Sequence, residues 1–182
     1  MGLRNRYLVK NEQTFFVTTT CNGHKRLIEL SKAYDLICES LTFVSLKYNC
    51  AILAYVIMPN HLHLILHFKV ENRISDYMRD FKKFTATKIR QGLEAQGLTK
   101  VIEDIRIQMP NRVFKVWEQR FHEKPIDSKG MLEEVLDYIH SNPLQAQWTM
   151  VEYPEDYTYS SALFYEKGRD QGLEVSHYLD YF

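Results

Sequence analysis

One short segment limits the fold of this chain more than any other: Tyr55–Phe68, which reads YVIMPNHLHLILHF. Two apolar runs, 51–58 and 61–68, are separated only by a Pro-Asn pair, which is typical of a tight turn between antiparallel strands. Because side chains alternate between the two faces of a strand, His61 and His63 share one face and the leucines share the other. The sequence therefore predicts a β-hairpin whose second strand has a leucine face and a histidine face.

Further strands and helices are predicted on both sides of this hairpin. β-branched and aromatic residues indicate strands, apolar residues at helical spacing indicate helices, and Asp127 or Ser128 would cap the last helix. The predicted elements are a strand over 14–20, helices over 29–47, 73–93 and 128–141, a short helix closed by Pro110, and two short strands within 112–126. The expected fold class is α/β (α+β), with helices packed on a central antiparallel sheet in a ferredoxin-like, split βαβ arrangement.

Domain organisation and setting follow from length and composition. The 182 residues contain no repeat or convincing linker, so we predict one domain over 1–182, with an aromatic and acidic tail from about 150 to 182 packed on it. No segment is long and apolar enough for a membrane span, and the N-terminus lacks the apolar run of a signal peptide. Three cysteines without metal-site spacing favour a reduced, cytoplasmic setting.

Overall charge excludes nothing, because Lys+Arg and Asp+Glu both total 23. The distribution is more informative, since residues 73–124 hold twelve Lys/Arg and seven Asp/Glu. A solvated helix face is the ordinary explanation of such a segment. The alternative is contact with phosphates, and the candidates on the helix over 73–93 are Arg79, Lys82, Lys83 and Arg90.

The histidine face can hold a metal ion, because imidazoles two residues apart on a strand lie about 6.6 Å apart and can converge on one cation. Taken alone, two such histidines are more often ordinary surface or hydrogen-bonded residues. The helix over 128–141 adds Tyr138 at the edge of its apolar stripe, and Asn142 lies one turn later on the same side. A phenol and a neutral oxygen ligand at this spacing suit attack on phosphorus beside a metal.

Five segments together carry a resemblance to a known family: MPNHLHLIL, FKKFTATKI, WEQRFHEKPI, LDYIHSNPL and PEDYTYSSA. In this order they resemble the REP-associated tyrosine transposases, which belong to the single-tyrosine HUH (IS200-like) transposases. The likeness extends from about Phe15 to Tyr165. The chain departs from the usual pattern at NPLQAQW, where Gln145 and Gln147 replace a basic residue and a glycine, so one phosphate contact is in doubt.

The resemblance implies roles for individual residues. His61 and His63 match the two metal-binding histidines, Asn142 matches the third ligand, and Tyr138 matches the nucleophile that forms a 5′-phosphotyrosine intermediate. The implied cofactor is a divalent metal, Mg²⁺ or Mn²⁺, and the implied partner is a single-stranded DNA hairpin. Beside a DNA-cutting site, we favour phosphate contact over a solvated face for the four basic residues of the helix over 73–93. Some relatives act as homodimers, so a homodimer is possible. Lys83 and His122 are candidates for a general base, which the sequence does not identify.

Three alternative functions stay open at this point. The chain could be a domesticated protein that binds hairpin DNA without cutting it, although such a protein need not keep all four site residues. It could be a rolling-circle-type HUH nickase, although these commonly have a second tyrosine or further domains. A metallohydrolase would need a carboxylate or a third histidine in reach, and the spacing shows none.

Overall fold

The computed structural model describes residues 13–109, 112–169 and 172–182. Within these ranges the strands are β1 (Thr14–Thr20), β2 (Cys50–Ile57), β3 (His61–Phe68), β4 (Arg106–Met109), β5 (Arg112–Phe114) and β6 (His122–Pro125). The helices are α1 (Leu27–Leu30), α2 (Tyr34–Tyr48), α3 (Ile74–Ala95), α4 (Thr99–Asp104), α5 (Lys129–Ser141) and α6 (Ala162–Lys167). The bounds of β2, β3 and α5 agree with the predicted hairpin and the predicted last helix.

The main sheet has four strands in the order β2-β3-β1-β6, and every neighbouring pair is antiparallel. β3 lies between β1 and β2, which are joined through α1 and α2, and β1 lies between β3 and β6. β1 and β2 form one βαβ unit, into which β3 is inserted. β3 and β6 form a second unit, into which β1 is inserted. The predicted fold class, a ferredoxin-like antiparallel sheet with packed helices, is confirmed.

Two predicted elements were wrong in detail. The single helix expected over 29–47 is divided into α1 and α2, because Lys32 has a left-handed backbone (φ 55°) that no continuing helix allows. The amides of Ile28 and Glu29 instead donate to the Pro59 carbonyl, which ties α1 to the β2–β3 turn. The expected short helix before Pro110 is α4 followed by β4, and Pro110 itself lies outside the described residues.

The sheet separates two apolar cores. The leucine face of β3 packs with α2 and α3, and its buried residues include Leu62, Leu64, Leu66, Phe81 and Ile89. The other face packs with α5 in a smaller core that includes Ile65, Val56, Leu132, Leu136 and Ile139. Because His61 and His63 alternate with the leucines, they lie on the α5 side of the sheet.

The outer edge of β2 is covered by the C-terminal part of the chain. The Ser161 amide donates to the Tyr55 carbonyl, Ile57 donates to the Tyr159 carbonyl, and Ser176 donates to the Ile52 carbonyl. These bonds continue the ladder of β2 without a regular strand. Residues of the predicted tail therefore contact the sheet, and that edge is not available to another strand.

A search of the described part of the chain finds no helix long and apolar enough to cross a membrane.

Candidate active site

The histidine pair begins the second strand of the hairpin, directly after the turn. The His61 and His63 rings lie edge to face with their centroids 4.7 Å apart. His61 Nδ1 is 2.6 Å from Asn60 Oδ1, and His63 Nδ1 is 2.7 Å from the hydroxyl of Thr18, which lies opposite His63 on β1. With both Nδ1 atoms occupied, each ring has Nε2 as its remaining ligand atom, which is how metal-binding histidines are usually oriented.

Both rings lie in a poorly hydrated environment. Burial lowers the pKa of His63 to about 3, and the neighbouring His61 ring contributes in the same direction. Burial lowers the pKa of His61 to about 4; the Asn142 side chain partly opposes this effect, while His24 adds to it. Both imidazoles are therefore neutral near pH 7, the protonation state that a metal ligand needs.

Tyr138 stands beside His63 at the exposed edge of α5. The buried residues of this helix, which include Leu132, Leu136 and Ile139, pack against the sheet. Because Tyr138 lies between Leu136 and Ile139, this packing fixes its position on the helix. The Tyr138 ring centroid is 5.2 Å from that of His63 and 6.0 Å from that of Phe16, both edge to face. Tyr138 is nevertheless 44% exposed, although it contacts two rings of the site.

Asn142 ends α5 and turns its amide into the same site. The residue is only 1% exposed, and its Oδ1 accepts no hydrogen bond of normal geometry from the described residues. Leaving such an oxygen buried and unpaired costs about 1–3 kcal/mol. A cation at this position would give that oxygen a partner, and the two Nε2 atoms and Oδ1 form a donor set that suits a divalent metal.

The described residues contain no group of three or more His, Cys, Asp or Glu arranged to hold a metal. A carboxylate-based hydrolytic site, one of the alternatives considered from the sequence, therefore has no support in this part of the chain. The available donors are the two imidazoles of His61 and His63 and the amide of Asn142. All three are neutral, so a bound dication would keep its full charge.

The predicted DNA-contacting residues lie elsewhere. Arg79, Lys82, Lys83 and Arg90 line a groove of about 560 Å³ between α3 and the chain that leads from β5 to β6. Because α3 packs on the leucine face, this groove is on the opposite side of the sheet from His61 and His63. The structure thus brings the two histidines, the tyrosine and the asparagine of the candidate site together. It places the four basic residues on the other side of the sheet.

Most of these basic side chains already have partners. Arg79 pairs with Asp76 and Asp80, and Arg90 pairs with Glu94. The Lys82 ammonium donates to the carbonyls of Glu118 and Gln119. The Lys83 ammonium has no ion pair or hydrogen bond within the described ranges. Its position across the sheet from Tyr138 does not support the general-base role considered for it.

Sequence reasoning missed the residues that orient the site. Thr18 carried no signal, because its bond to His63 depends on the pairing of β1 with β3. Asn60 could have been noticed as the polar residue directly before the first histidine. The Trp148 ring lies beside His61, and the two ring centroids are 6.0 Å apart. Next to it, the Gln147 amide donates to Gln145 Oε1, at the two positions where the family pattern is broken.

Similar proteins are found among solved structures but not among curated proteins. A search of curated proteins gives no match. Among solved structures, a REP-associated tyrosine transposase bound to a REP hairpin is similar, with a TM-score of 0.64 and 23% identity over 97% of this chain and 92% of that one. A putative transposase from Deinococcus radiodurans aligns with a TM-score of 0.42 and 13% identity, over 78% of this chain and 97% of that one.

The family comparison decides the classification. The family model described as "Transposase IS200 like" matches residues 9–142, a span that includes all four residues of the candidate site. The resemblance inferred from the sequence motifs is confirmed. The chain belongs to the IS200-like transposase family.

Proposed function

We propose that this protein is a metal-dependent, single-stranded DNA transposase that cuts and rejoins hairpin-bearing DNA ends with Tyr138 as its nucleophile. The observation that carries the proposal is the convergence of an accessible phenol with two oriented, neutral imidazoles and a buried oxygen without a partner. Membership in the transposase family supports the same reaction class. We place the reaction in the cytoplasm, in keeping with the three unpaired cysteines.

The metal would be held by His61 Nε2, His63 Nε2 and Asn142 Oδ1. Mg²⁺ prefers oxygen ligands, so two nitrogen donors favour Mn²⁺ in vitro, while either ion is compatible with the set. When bound, the ion would polarise a phosphate oxygen and stabilise the negative charge that develops on phosphorus.

The covalent step belongs to Tyr138. Its phenolic oxygen attacks the phosphorus of a phosphodiester, a bond forms between that oxygen and the 5′ phosphate, and the bond from phosphorus to the 3′ oxygen breaks. The phenol gives up its proton and the leaving 3′ oxygen gains one, which leaves a free 3′ hydroxyl. Because the phosphodiester is replaced by a phosphotyrosine, a 3′ hydroxyl can later reverse the exchange without an external energy source.

The contacts of Tyr138 suit this task. Its ring is held edge to face between His63 and Phe16, which limits its rotation, while the residue as a whole stays exposed. Near-attack positioning of this kind is a large part of catalysis in phosphoryl transfer. Phe16 also stacks on His63 with the centroids 5.5 Å apart, so one ring positions both the nucleophile and a ligand.

Hairpin DNA is the proposed substrate, and the basic groove along α3 is its proposed binding site. Arg79, Lys82, Lys83 and Arg90 line this groove together with Phe114 and Phe121. Cations and aromatic rings on one surface suit phosphates and unstacked bases, respectively. The similar REP-associated transposase was bound to a REP hairpin, which supports the same class of ligand here.

The deciding experiment measures covalent protein–DNA adducts. Purified protein is incubated with Mn²⁺ and labelled single strands taken from the flanks of its own gene, and adducts are separated under denaturing conditions. We expect adducts with the parent protein and none with Tyr138→Phe, which keeps the ring contacts and removes the oxygen. Tyr153→Phe is the matched control, because Tyr153 is also exposed and should leave the adduct yield unchanged.

The same experiment separates a transposase from a protein that only binds hairpins. Hairpin binding by the parent without any adduct would favour the domesticated binder and refute the proposed reaction. Full adduct yield in Tyr138→Phe would show that another residue is the nucleophile. His63→Ala should abolish cleavage through the metal instead, and added Mn²⁺ should restore part of it.

A further inference from the structure

The face of the sheet that carries the candidate active site is poor in positive charge. The residues of the candidate site, His61, His63, Asn142 and Tyr138, include no lysine or arginine. The exposed residues of α5 next to the nucleophile include the acidic pair Glu134 and Asp137. A DNA strand that reaches Tyr138 must nevertheless bring its phosphates onto this face. Arg26 lies over the Trp148 ring beside His61, but it is paired with Glu29, so an unpaired charge has to come from another element.

The edge strand β6 supplies that charge on the correct face. His122 pairs with Thr18, and Lys124 pairs with Phe16. Directly paired residues of antiparallel strands point to the same face, and Thr18 and Phe16 are the β1 residues that contact His63. With a spacing of about 4.8 Å between neighbouring strands, the β6 backbone lies roughly 10 Å from that of β3. His122 and Lys124 therefore border the site from the β6 edge of the sheet.

These two side chains are available for a ligand. Both are exposed, and neither has an ion pair or hydrogen bond to any residue that the structure describes. The groove cations differ, because Arg79 and Arg90 are paired with carboxylates and Lys82 is bonded to carbonyls. An unpaired ammonium keeps its full attraction for a phosphate, since no acidic neighbour competes for it.

β6 also connects the basic groove with the active site. The groove along α3 is lined by Glu118, Gln119 and Phe121, and β6 begins with the next residue, His122. A strand that leaves the groove on the leucine side can cross the edge of the sheet here and reach Tyr138 on the other side.

We infer that His122 and Lys124 form a phosphate-binding site for single-stranded DNA, which guides the strand over the β6 edge from the hairpin groove to Tyr138. This inference rests on the proposed function, since it assigns a path to the substrate of that reaction. Lys124 provides the charge, and the His122 ring provides a hydrogen-bond donor. Glu123 pairs with Val17, so its side chain points to the other face of the sheet and does not repel a phosphate bound by Lys124.

Binding measured without metal tests this site. Two labelled probes are compared in the presence of EDTA: a hairpin from the DNA that flanks the gene, and the same hairpin with its natural single-stranded extension. We expect the parent to bind the extended probe more tightly. Lys124→Ala should remove most of this advantage, roughly tenfold in Kd, and should lower the salt dependence for the extended probe by about 0.7 in log–log slope. His122→Ala should remove a smaller part.

Controls keep the result specific. Lys100→Ala removes the same charge from an exposed position on α4 and should leave both affinities unchanged. Thermal unfolding should show that each variant is folded. Equal loss for both probes in Lys124→Ala, or no loss for the extended one, would overturn the inference. Failure of the proposed function would appear elsewhere, as the absence of adducts in Mn²⁺, because binding in EDTA does not depend on cleavage.

Discussion

The buried oxygen of Asn142 gives the most discriminating prediction about the metal site. Without metal this Oδ1 is desolvated and unpaired, so it should destabilise the folded protein. With metal it should become a ligand and contribute to stability. Asn142→Leu replaces the amide with an apolar group of similar size, and Asn142→Asp keeps an oxygen but adds a charge. Metal should therefore stabilise Asn142→Leu less than the parent and Asn142→Asp more than the parent.

The expected magnitudes follow from the geometry. Removing a buried, unpaired carbonyl oxygen should stabilise the metal-free Asn142→Leu protein by about 1–3 kcal/mol. For a chain of this length, each kcal/mol corresponds to roughly 2–4 °C in Tm. In the parent, Mn²⁺ at 100 times its Kd should add about 2.7 kcal/mol, or roughly 5–11 °C. Asn142→Asp should be less stable than the parent without metal and should gain more from Mn²⁺.

The assay is thermal unfolding of each protein in EDTA and across a Mn²⁺ titration. The expected pattern is a higher Tm for Asn142→Leu in EDTA and a much smaller response of that variant to Mn²⁺. If Asn142→Leu gained as much from Mn²⁺ as the parent, Asn142 would not be a ligand. If it were clearly less stable than the parent in EDTA, the oxygen would have a protein partner, and the reasoning from its missing hydrogen bond would fail.

Three further predictions concern the groove, acid stability and helix packing. Replacing Arg79, Lys83 and Arg90 together with Ala should lower the salt dependence of hairpin binding by about 0.9 in log–log slope for each lost phosphate contact; an unchanged slope would show that the groove is only solvated. Burial lowers the pKa of His140 to about 4, so the unfolded state takes up its proton first as the pH falls below about 6.5. Stability should therefore decrease by about 2 kcal/mol from this residue between pH 7 and pH 5, and urea unfolding of His140→Gln should show a smaller decrease if this residue is responsible. Gly92→Ala would place a methyl group 2.6 Å from a carbonyl oxygen of the α1–α2 turn, and it should cost about 1–3 kcal/mol in the same assay although Ala favours helix; a more stable variant would contradict the close packing.

The main residues of the candidate site could be singled out from the sequence because they follow local periodicity. Alternation along β3 puts His61 and His63 on one face, and the helical spacing puts Tyr138 and Asn142 on one side of α5. The two residues of each pair could be placed together once a single strand or helix had been identified correctly. The family resemblance implied that the two pairs lie close to each other, and the contact between Tyr138 and His63 agrees with this.

What the sequence could not give depends on contacts between distant residues. The bond from Thr18 to His63 and the adjacency of Lys124 to Phe16 exist only through strand pairing. The basic residues of α3 were expected to contact DNA beside the active site, yet they lie across the sheet from it, because the faces used by α3 and α5 are set by the topology of the whole sheet. The break at Lys32 follows from hydrogen bonds between α1 and the β2–β3 turn, which no helical periodicity reveals.

The covering of the β2 edge by Tyr159, Ser161 and Ser176 limits how copies of this protein can assemble. A chain of molecules joined by strand addition needs two open edges on each sheet, one for each neighbour. Here the β2 edge is already satisfied from within, so strand addition could use only the β6 edge and would have to stop after one partner. Assembly through the sheet would therefore end at a closed, two-fold pair and would not continue into a filament. Loss of the C-terminal residues would remove that limit and turn a self-terminating contact into an aggregation risk.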